Sequence, residues 1–325
     1  MVLEELIRPA VAEKKPIGIF AMAFIISSIS IWIFYHVFPT SSSVLALAFL
    51  TIGFVPLLQR VFLDETQKEI EAPGWAPGFI ARHSDLFFIY FFLFLGLIAS
   101  YTFWFVALPS SGSLCQASPG SIACFFPTRE KVFAEQINTY NAIDPTNAAR
   151  ATGKAIAMDE CKNPQTRSLE KCTMFIFNNN YFVLILATLF SFLYGAGTIF
   201  LIAWNASVIG TVIGAEIVYS NINSGITRFV GLIPHGTFEI GGYFIGAIAG
   251  GVISTALTTK KYSHHENSVI FADTAILIAL AFVFLLVGAI IEAATIINPP
   301  LSEVFFMAEI IIFLGIGIFA AFSKK

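Results

Sequence analysis

Several runs of eighteen or more residues nearly free of charge, Ile17 to Phe38 and Asp85 to Leu108 among them, fix the solvent in which this chain folds. A run of that length crosses the roughly 30 Å hydrocarbon core of a bilayer as a helix. Inside lipid only helices and closed barrels satisfy their own backbone. With 57% hydrophobic residues, 12% charged residues and 35 phenylalanines, no soluble-core reading survives. The net charge of −3 and the lack of a basic cluster interleaved with aromatics exclude nucleic acid as a partner. The partner that the composition does demand is the lipid bilayer.

In chain order, the first span follows Arg8, Lys14 and Lys15, is long for a signal-peptide core, and is read as retained. Val44 to Leu58 is expected as a short or tilted second span. Residues 59–84, with Pro73-Gly74 and Pro77-Gly78, suit a loop at the interface. The third span is Asp85 to Leu108. From Met174 the chain returns to the membrane, with Asn178, Asn179 and Asn180 at the entrance, Gly195-Ala196-Gly197 deeper in, and a helix end near Trp204. Asn205 to about Asn221 is the fifth span. Residues 221–233 read as a re-entrant or interfacial segment, because irregular backbone at depth is tolerated only where protein buries it. Spans from Pro234 to about Leu257, Val269 to Ile291 and Val304 to Phe322 complete an expected eight. The fold class is all-α: a polytopic transmembrane bundle with a small extracytoplasmic, disulfide-tied helical domain. Its expected divisions are an N-terminal membrane region (1–108), the cysteine-bearing domain (109–173) and a C-terminal membrane core (174–325).

Residues 109–173 hold all four cysteines, Cys115, Cys124, Cys161 and Cys172. Their spacing matches neither paired zinc hooks nor a redox motif, so disulfides in an oxidising compartment are the simplest account. Four cysteines allow three pairings; the one that closes two short local loops, Cys115 with Cys124 and Cys161 with Cys172, is favoured over the other two. Asp144-Pro145-Thr146 reads as an N-cap followed by proline at the first helical position, leading a helix toward Glu160, with residues 128–143 as its partner. Ten of the eighteen Lys and Arg residues fall in short segments, 1–16, 59–84, 259–268 and the C-terminus. The positive-inside rule puts these in the cytoplasm together with both termini, leaving the cysteine domain outside the cell membrane.

That topology gathers polar groups at one depth. His235 and Glu239 stand four apart and share a helical face, which Gly242, Gly246 and Gly250 continue. Glu216, Glu292, Glu309, Asn178, Asn179, Asn205 and Arg228 map to the same outer half. An ionisable side chain at bilayer depth costs roughly 3 kcal/mol on insertion scales, so such residues mark function by default. Each carboxylate needs a partner: a proton, Arg228, His235 or a bound cation. The competing account is that Asn, His and Glu tie helices together by interhelical hydrogen bonds worth about 0.6 kcal/mol on average. The glycine faces, including Gly210 and Gly214, permit close helix packing, either within the chain or in a homodimer. Neither a cofactor nor a metal is implied: the adjacent His264 and His265 lack the spacing of a metal site.

Residues 174–258 resemble the stage II sporulation protein M family of multi-span membrane proteins. The resemblance rests on Phe177-Asn178-Asn179, Gly195, Gly197, Asn205 with Gly210, and above all Pro234-His235-Gly236 followed by Glu239. It carries over Asn179, Asn205, His235 and Glu239 as family positions. It implies a scaffold that holds envelope partners in the membrane. The first three spans and the cysteine domain are expected to lie outside it.

Three functions are therefore weighed. The first is a membrane scaffold or assembly factor that recruits membrane or envelope proteins. The second is a transporter or channel in which Glu216, Glu239, Glu309 and His235 bind a cation or proton, although no inverted repeat is legible. The third is an intramembrane hydrolase with His235 and Glu239 as base and orienting acid; it lacks a marked nucleophile or any Gly-x-Ser-x-Gly or His-Glu-x-x-His pattern, so an enzyme is not expected.

Overall fold

The computed structural model describes residues 17–38, 42–71, 83–110, 127–143, 161, 165, 167–191, 196–259 and 262–323. Among them are ten helices and no strand: α1 (Ile17–Val37), α2 (Ser42–Glu71), α3 (Ser84–Ala107), α4 (Arg129–Val132), α5 (Ala134–Ile143), α6 (Leu169–Ser191), α7 (Ala196–Tyr219), α8 (Ile222–Thr259), α9 (His264–Ile297) and α10 (Leu301–Ser323). Seven of these, α1 to α3 and α6 to α9, are long and apolar enough to cross a membrane. The chain is a helical bundle, and α8 is its axis: it packs against α9, α6, α7, α2, α10 and α3. One hydrophobic core runs through α1, α2, α3, α7, α8 and α9.

Small residues set the spacing of that bundle. In lipid there is no hydrophobic drive between helices, so close packing and interhelical hydrogen bonds must hold them. Gly210 of α7 lies under Ile98 and Tyr101 of α3, Gly214 lies under Phe105, and Thr102 donates to the Gly210 carbonyl at 3.0 Å. On α8, Gly242 meets Ala281 and Leu285 of α9, while Gly246 and Gly250 meet Leu184, Thr188 and Ser191 of α6. These faces are filled from within one chain. Across α1 and α3, Ser27 bonds Ser100 at 2.7 Å and the Trp104 indole donates to Ser28 at 2.8 Å.

Four sequence expectations are corrected. The second span is not short: α2 runs on to Glu71, and Val61, Phe62, Glu65 and Thr66 are buried at helical spacing, with Phe62 against Gly251 of α8. The loop expected from residue 59 is thus helix as far as residue 71. The break near Trp204 does not occur, since α6 ends at Ser191 and Asn205 sits inside α7. Asn205 is tolerated there because its amide donates back to the Leu201 carbonyl at 2.8 Å. Residues 222–233 are not irregular: Asn221 accepts from the Ser224 amide at 3.0 Å as an N-cap, and the helix runs on through Pro234. A helix satisfies its own backbone, so this stretch needs no surrounding protein. Finally, α9 starts earlier than Val269, at His264, behind a Ser263–Glu266 capping box; the two histidines occupy its first turn.

The segment that does enter the bundle from a connection is α4–α5. Val132, Phe133 and Gln136 are buried, Phe133 packs on Tyr101 and Phe105 of α3, and the Gln136 amide donates to Ser207 of α7 at 3.2 Å. Arg129 fastens its start by donating twice to the Leu108 carbonyl, at 2.9 and 2.6 Å. Cys161 is bonded to Cys172. Cys115, Cys124, Gly195 and the helix expected from Asp144 to Glu160 lie outside the described residues.

Candidate functional site

The polar residues converge where α6, α8 and α9 meet. Glu239, on the α8 face that turns toward both neighbours, accepts from the Asn180 amide of α6 at 2.6 Å and lies within electrostatic reach of Glu292 of α9. The Asn180 carbonyl oxygen in turn accepts from the Tyr243 hydroxyl at 2.9 Å and from the Asn179 amide at 3.4 Å. Two donors on that oxygen fix which way the amide faces, and its nitrogen is therefore the atom presented to Glu239. Asn180 and Tyr243 are buried, while Glu239, Glu292 and His235 are half-buried. The polar cluster is thus only partly closed over. Gly288 makes it possible, because its missing side chain is the space that the Glu239 Cγ occupies.

His235 lies one turn before Glu239, between the fields of Glu292 and Arg228, and its buried Nδ1 has no hydrogen-bond partner. Next to it, Gly236 faces open space, as does Gly231 one turn earlier. Pro234 is buried and removes one amide from the helix ladder at this level. The Cys161–Cys172 bridge packs with Ile176 of α6 and with Ala289 and Ala293 of α9. Of the residues it packs with, Ala293 adjoins Glu292 in the chain and Ile176 lies about a turn before Asn180.

The other residues expected at this depth lie elsewhere. Glu309 of α10 is buried beside Thr237, and neither carboxylate oxygen makes a well-formed hydrogen bond. Thr237 is two residues from Glu239, on nearly the opposite side of α8, so Glu309 is a separate station. Glu216 stands half-buried on α7, outside the Glu239 network. Asn178 and Asn179 are exposed, and the third asparagine of the run is the one that reaches Glu239. Arg228 is exposed and lies over the Tyr140 ring at 6.0 Å.

Two further groupings lie outside the residues that the sequence reading singled out. At the opposite end of the bundle, the fully buried Glu65 of α2 meets the His83 imidazole at the start of α3 and is ion-paired with Lys68 at 3.5 Å; Lys68 also reaches Asp85 at 3.0 Å. The spacing of Leu58, Val61, Phe62 and Glu65 was the signal that α2 continues and carries Glu65 inward. The second is the Gln136–Ser207 contact described above. Among the described residues, no three His, Cys, Asp or Glu side chains are grouped so as to hold a metal ion. What the Glu239 site can do is hold a small cation or a proton between two carboxyls, within a chain of hydrogen bonds.

Long apolar helices and an acidic, hydrogen-bonded recess between three of them define a multi-pass α-helical membrane protein with an internal polar site. Residues 86–295 match the family model of Stage II sporulation protein M, and the chain belongs to that family. The match takes in α3 and the cysteine-bearing segment, so the expectation that these lie outside the family is corrected. No curated protein and no solved structure matches the chain.

Proposed function

We propose that this membrane protein binds and conducts a proton or a small cation through the recess between α6, α8 and α9. The observation that supports this is Glu239, held by the Asn180 amide beside Glu292 and half-buried rather than sealed, with His235 and its unpartnered Nδ1 next to it. Groups that served only to tie helices together would be safer as amides and hydroxyls; two facing carboxyls at this depth are costly. A scaffold for membrane or envelope proteins is the reading that the family resemblance favours. Catalysis forms no part of the proposal.

The proposed orientation has both termini in the cytoplasm and residues 109–173 on the outer side. It is supported by the distribution of basic residues and by the Cys161–Cys172 bond, which persists in an oxidising compartment. With a cysteine introduced at the exposed Lys131, a membrane-impermeant thiol reagent should label Lys131→Cys in intact cells; labelling only after lysis would reverse the orientation.

The deciding experiment is ion flux into liposomes containing the purified chain, read with an entrapped pH dye and with alkali-cation indicators. Glu239→Gln, with helicity and melting intact, should reduce flux at least tenfold. Flux equal to the unmodified protein would remove the site from the reading. No flux at all, with membrane proteins co-purifying only when residues 109–173 are present, would replace it with the scaffold.

A further inference from the structure

We infer that Tyr243 sets the ion preference of the recess: acting through Asn180, it keeps the site poor in oxygen ligands and so disfavours an alkali cation against a proton. This rests on the reading above and adds the residue that determines specificity. Three hydrogen bonds carry it. The Tyr243 hydroxyl donates to the Asn180 carbonyl oxygen at 2.9 Å, the Asn179 amide donates to the same oxygen at 3.4 Å, and the Asn180 nitrogen donates to Glu239 Oε1 at 2.6 Å. Tyr243 stands one turn beyond Glu239 on the same face of α8, which is why one asparagine of α6 meets both.

An alkali cation sheds its water only where protein oxygens replace the hydration shell. Asn180 carries a neutral oxygen that could join Glu239 as such a ligand. A half-turn of its amide would exchange that oxygen with the nitrogen now 2.6 Å from the carboxyl. As built, Glu239 faces a hydrogen donor instead. A proton needs a single lone pair of Glu239 and makes no call on the Asn180 oxygen.

Tyr243 is what opposes the half-turn. With the amide reversed, the Tyr243 hydrogen would lose its acceptor in a buried setting, and the amides of Asn179 and Asn180 would stand donor against donor. Asn179 is exposed and can turn to water, whereas Tyr243 is 5% and Asn180 7% exposed. The hydroxyl is therefore the partner that holds the amide, and Tyr243 is a positioning residue. Phenylalanine in its place keeps the buried ring and removes only that bond.

The test is a sodium titration of the full chain in lipid nanodiscs, followed by the side-chain amide resonance of Asn180 in isotope-labelled asparagine and assigned by its loss in Asn180→Ala. In Tyr243→Phe the sodium concentration at half-response should fall about fivefold, the change that one buried hydrogen bond supplies. Adding Glu239→Gln should abolish the response. In liposomes the ratio of sodium to proton flux should rise by the same factor in Tyr243→Phe and lose that gain in the double variant. A gain of sodium binding does not arise from misfolding, and a flux gain that survives Glu239→Gln is a leak that overturns the inference. Equal half-response in the two chains, or no sodium response in Tyr243→Phe, also overturns it. The expected sodium response with no flux of any ion would uphold the role of Tyr243 and overturn conduction. Flux with an unchanged sodium-to-proton ratio would do the reverse.

Discussion

Gly288 of α9 lies directly against Glu239 of α8: a Cβ at that position would stand 2.6 Å from the Glu239 Cγ and 3.3 Å from both the Glu239 nitrogen and the His235 carbonyl oxygen. The acid can occupy the seam between the two helices only because its neighbour has no side chain. Gly236, one turn away on α8, faces open space.

These two glycines give the first prediction. Gly288→Ala forces either the carboxyl or the helix pair to move, and overpacking of this kind costs about 1–3 kcal/mol. Gly236→Ala meets no atom, and a surface-type change stays within about 0.5 kcal/mol. Thermal melting of both variants in the same detergent compares them, and equal melting would show that the seam is loose at Glu239.

The asparagine run separates in the same way. Asn180→Ala strands Glu239 Oε1 and the Tyr243 hydroxyl together, and leaving a buried polar group unsatisfied costs about 1–3 kcal/mol per group. Asn178 is exposed, and its replacement by Ala is expected to be nearly silent. If chemical unfolding ranks Asn178→Ala as the more damaging change, the hydrogen-bond chain through Asn180 is not what holds α6 to α8.

The contrast between Asn178 and Asn180 also shows how far the sequence reaches. Long apolar runs announce membrane helices without ambiguity, because nothing else accommodates them, and the glycines of α7 and α8 announce close packing. Their partners do not follow from spacing: whether Gly246 meets α6 or a second copy depends on how helices far apart in sequence are arranged. His235 and Glu239 are legible as one face because they lie on one helix. Glu292 joins them from α9, and nothing local distinguishes it from Glu309, which lands on the far side of α8 beside Thr237. Charged residues misled in the other direction. Gln59 and Arg60 suggested the end of a span, yet the apolar spacing continues past them to a buried glutamate.

That glutamate supports a third prediction. Glu65 has no exposed side-chain surface, and its carboxyl meets the His83 imidazole and the Lys68 ammonium. Removing one partner of a buried pair costs about 3–5 kcal/mol, while replacing both with apolar groups of similar volume is often neutral. His83→Ala should therefore be strongly destabilising. The double variant Glu65→Leu with His83→Leu should recover most of the loss, a coupling that a double-mutant cycle reads directly. Additive losses would mean that Glu65 draws its stability from other contacts.

Gln136 offers the opposite case, a buried polar group whose removal should help. Its side chain is fully buried between α5 and α7; the amide nitrogen donates to Ser207 at 3.2 Å, but the amide oxygen has no partner. Ser207 does not depend on it, since the serine hydroxyl donates to the Trp204 carbonyl at 2.7 Å. Gln136→Leu thus removes one unsatisfied acceptor and one weak contact, and keeps nearly the same side-chain volume. Net neutrality or a gain of up to about 1 kcal/mol follows, because an unmet buried acceptor costs about as much as a hydrogen bond gives. Melting in detergent reads the stability, and limited proteolysis of residues 127–143 reads whether α5 stays seated. A large loss with new cleavage there would mean that Gln136 carries a contact that the bundle cannot spare, and that α4–α5 is held by its polar tip rather than by Val132 and Phe133.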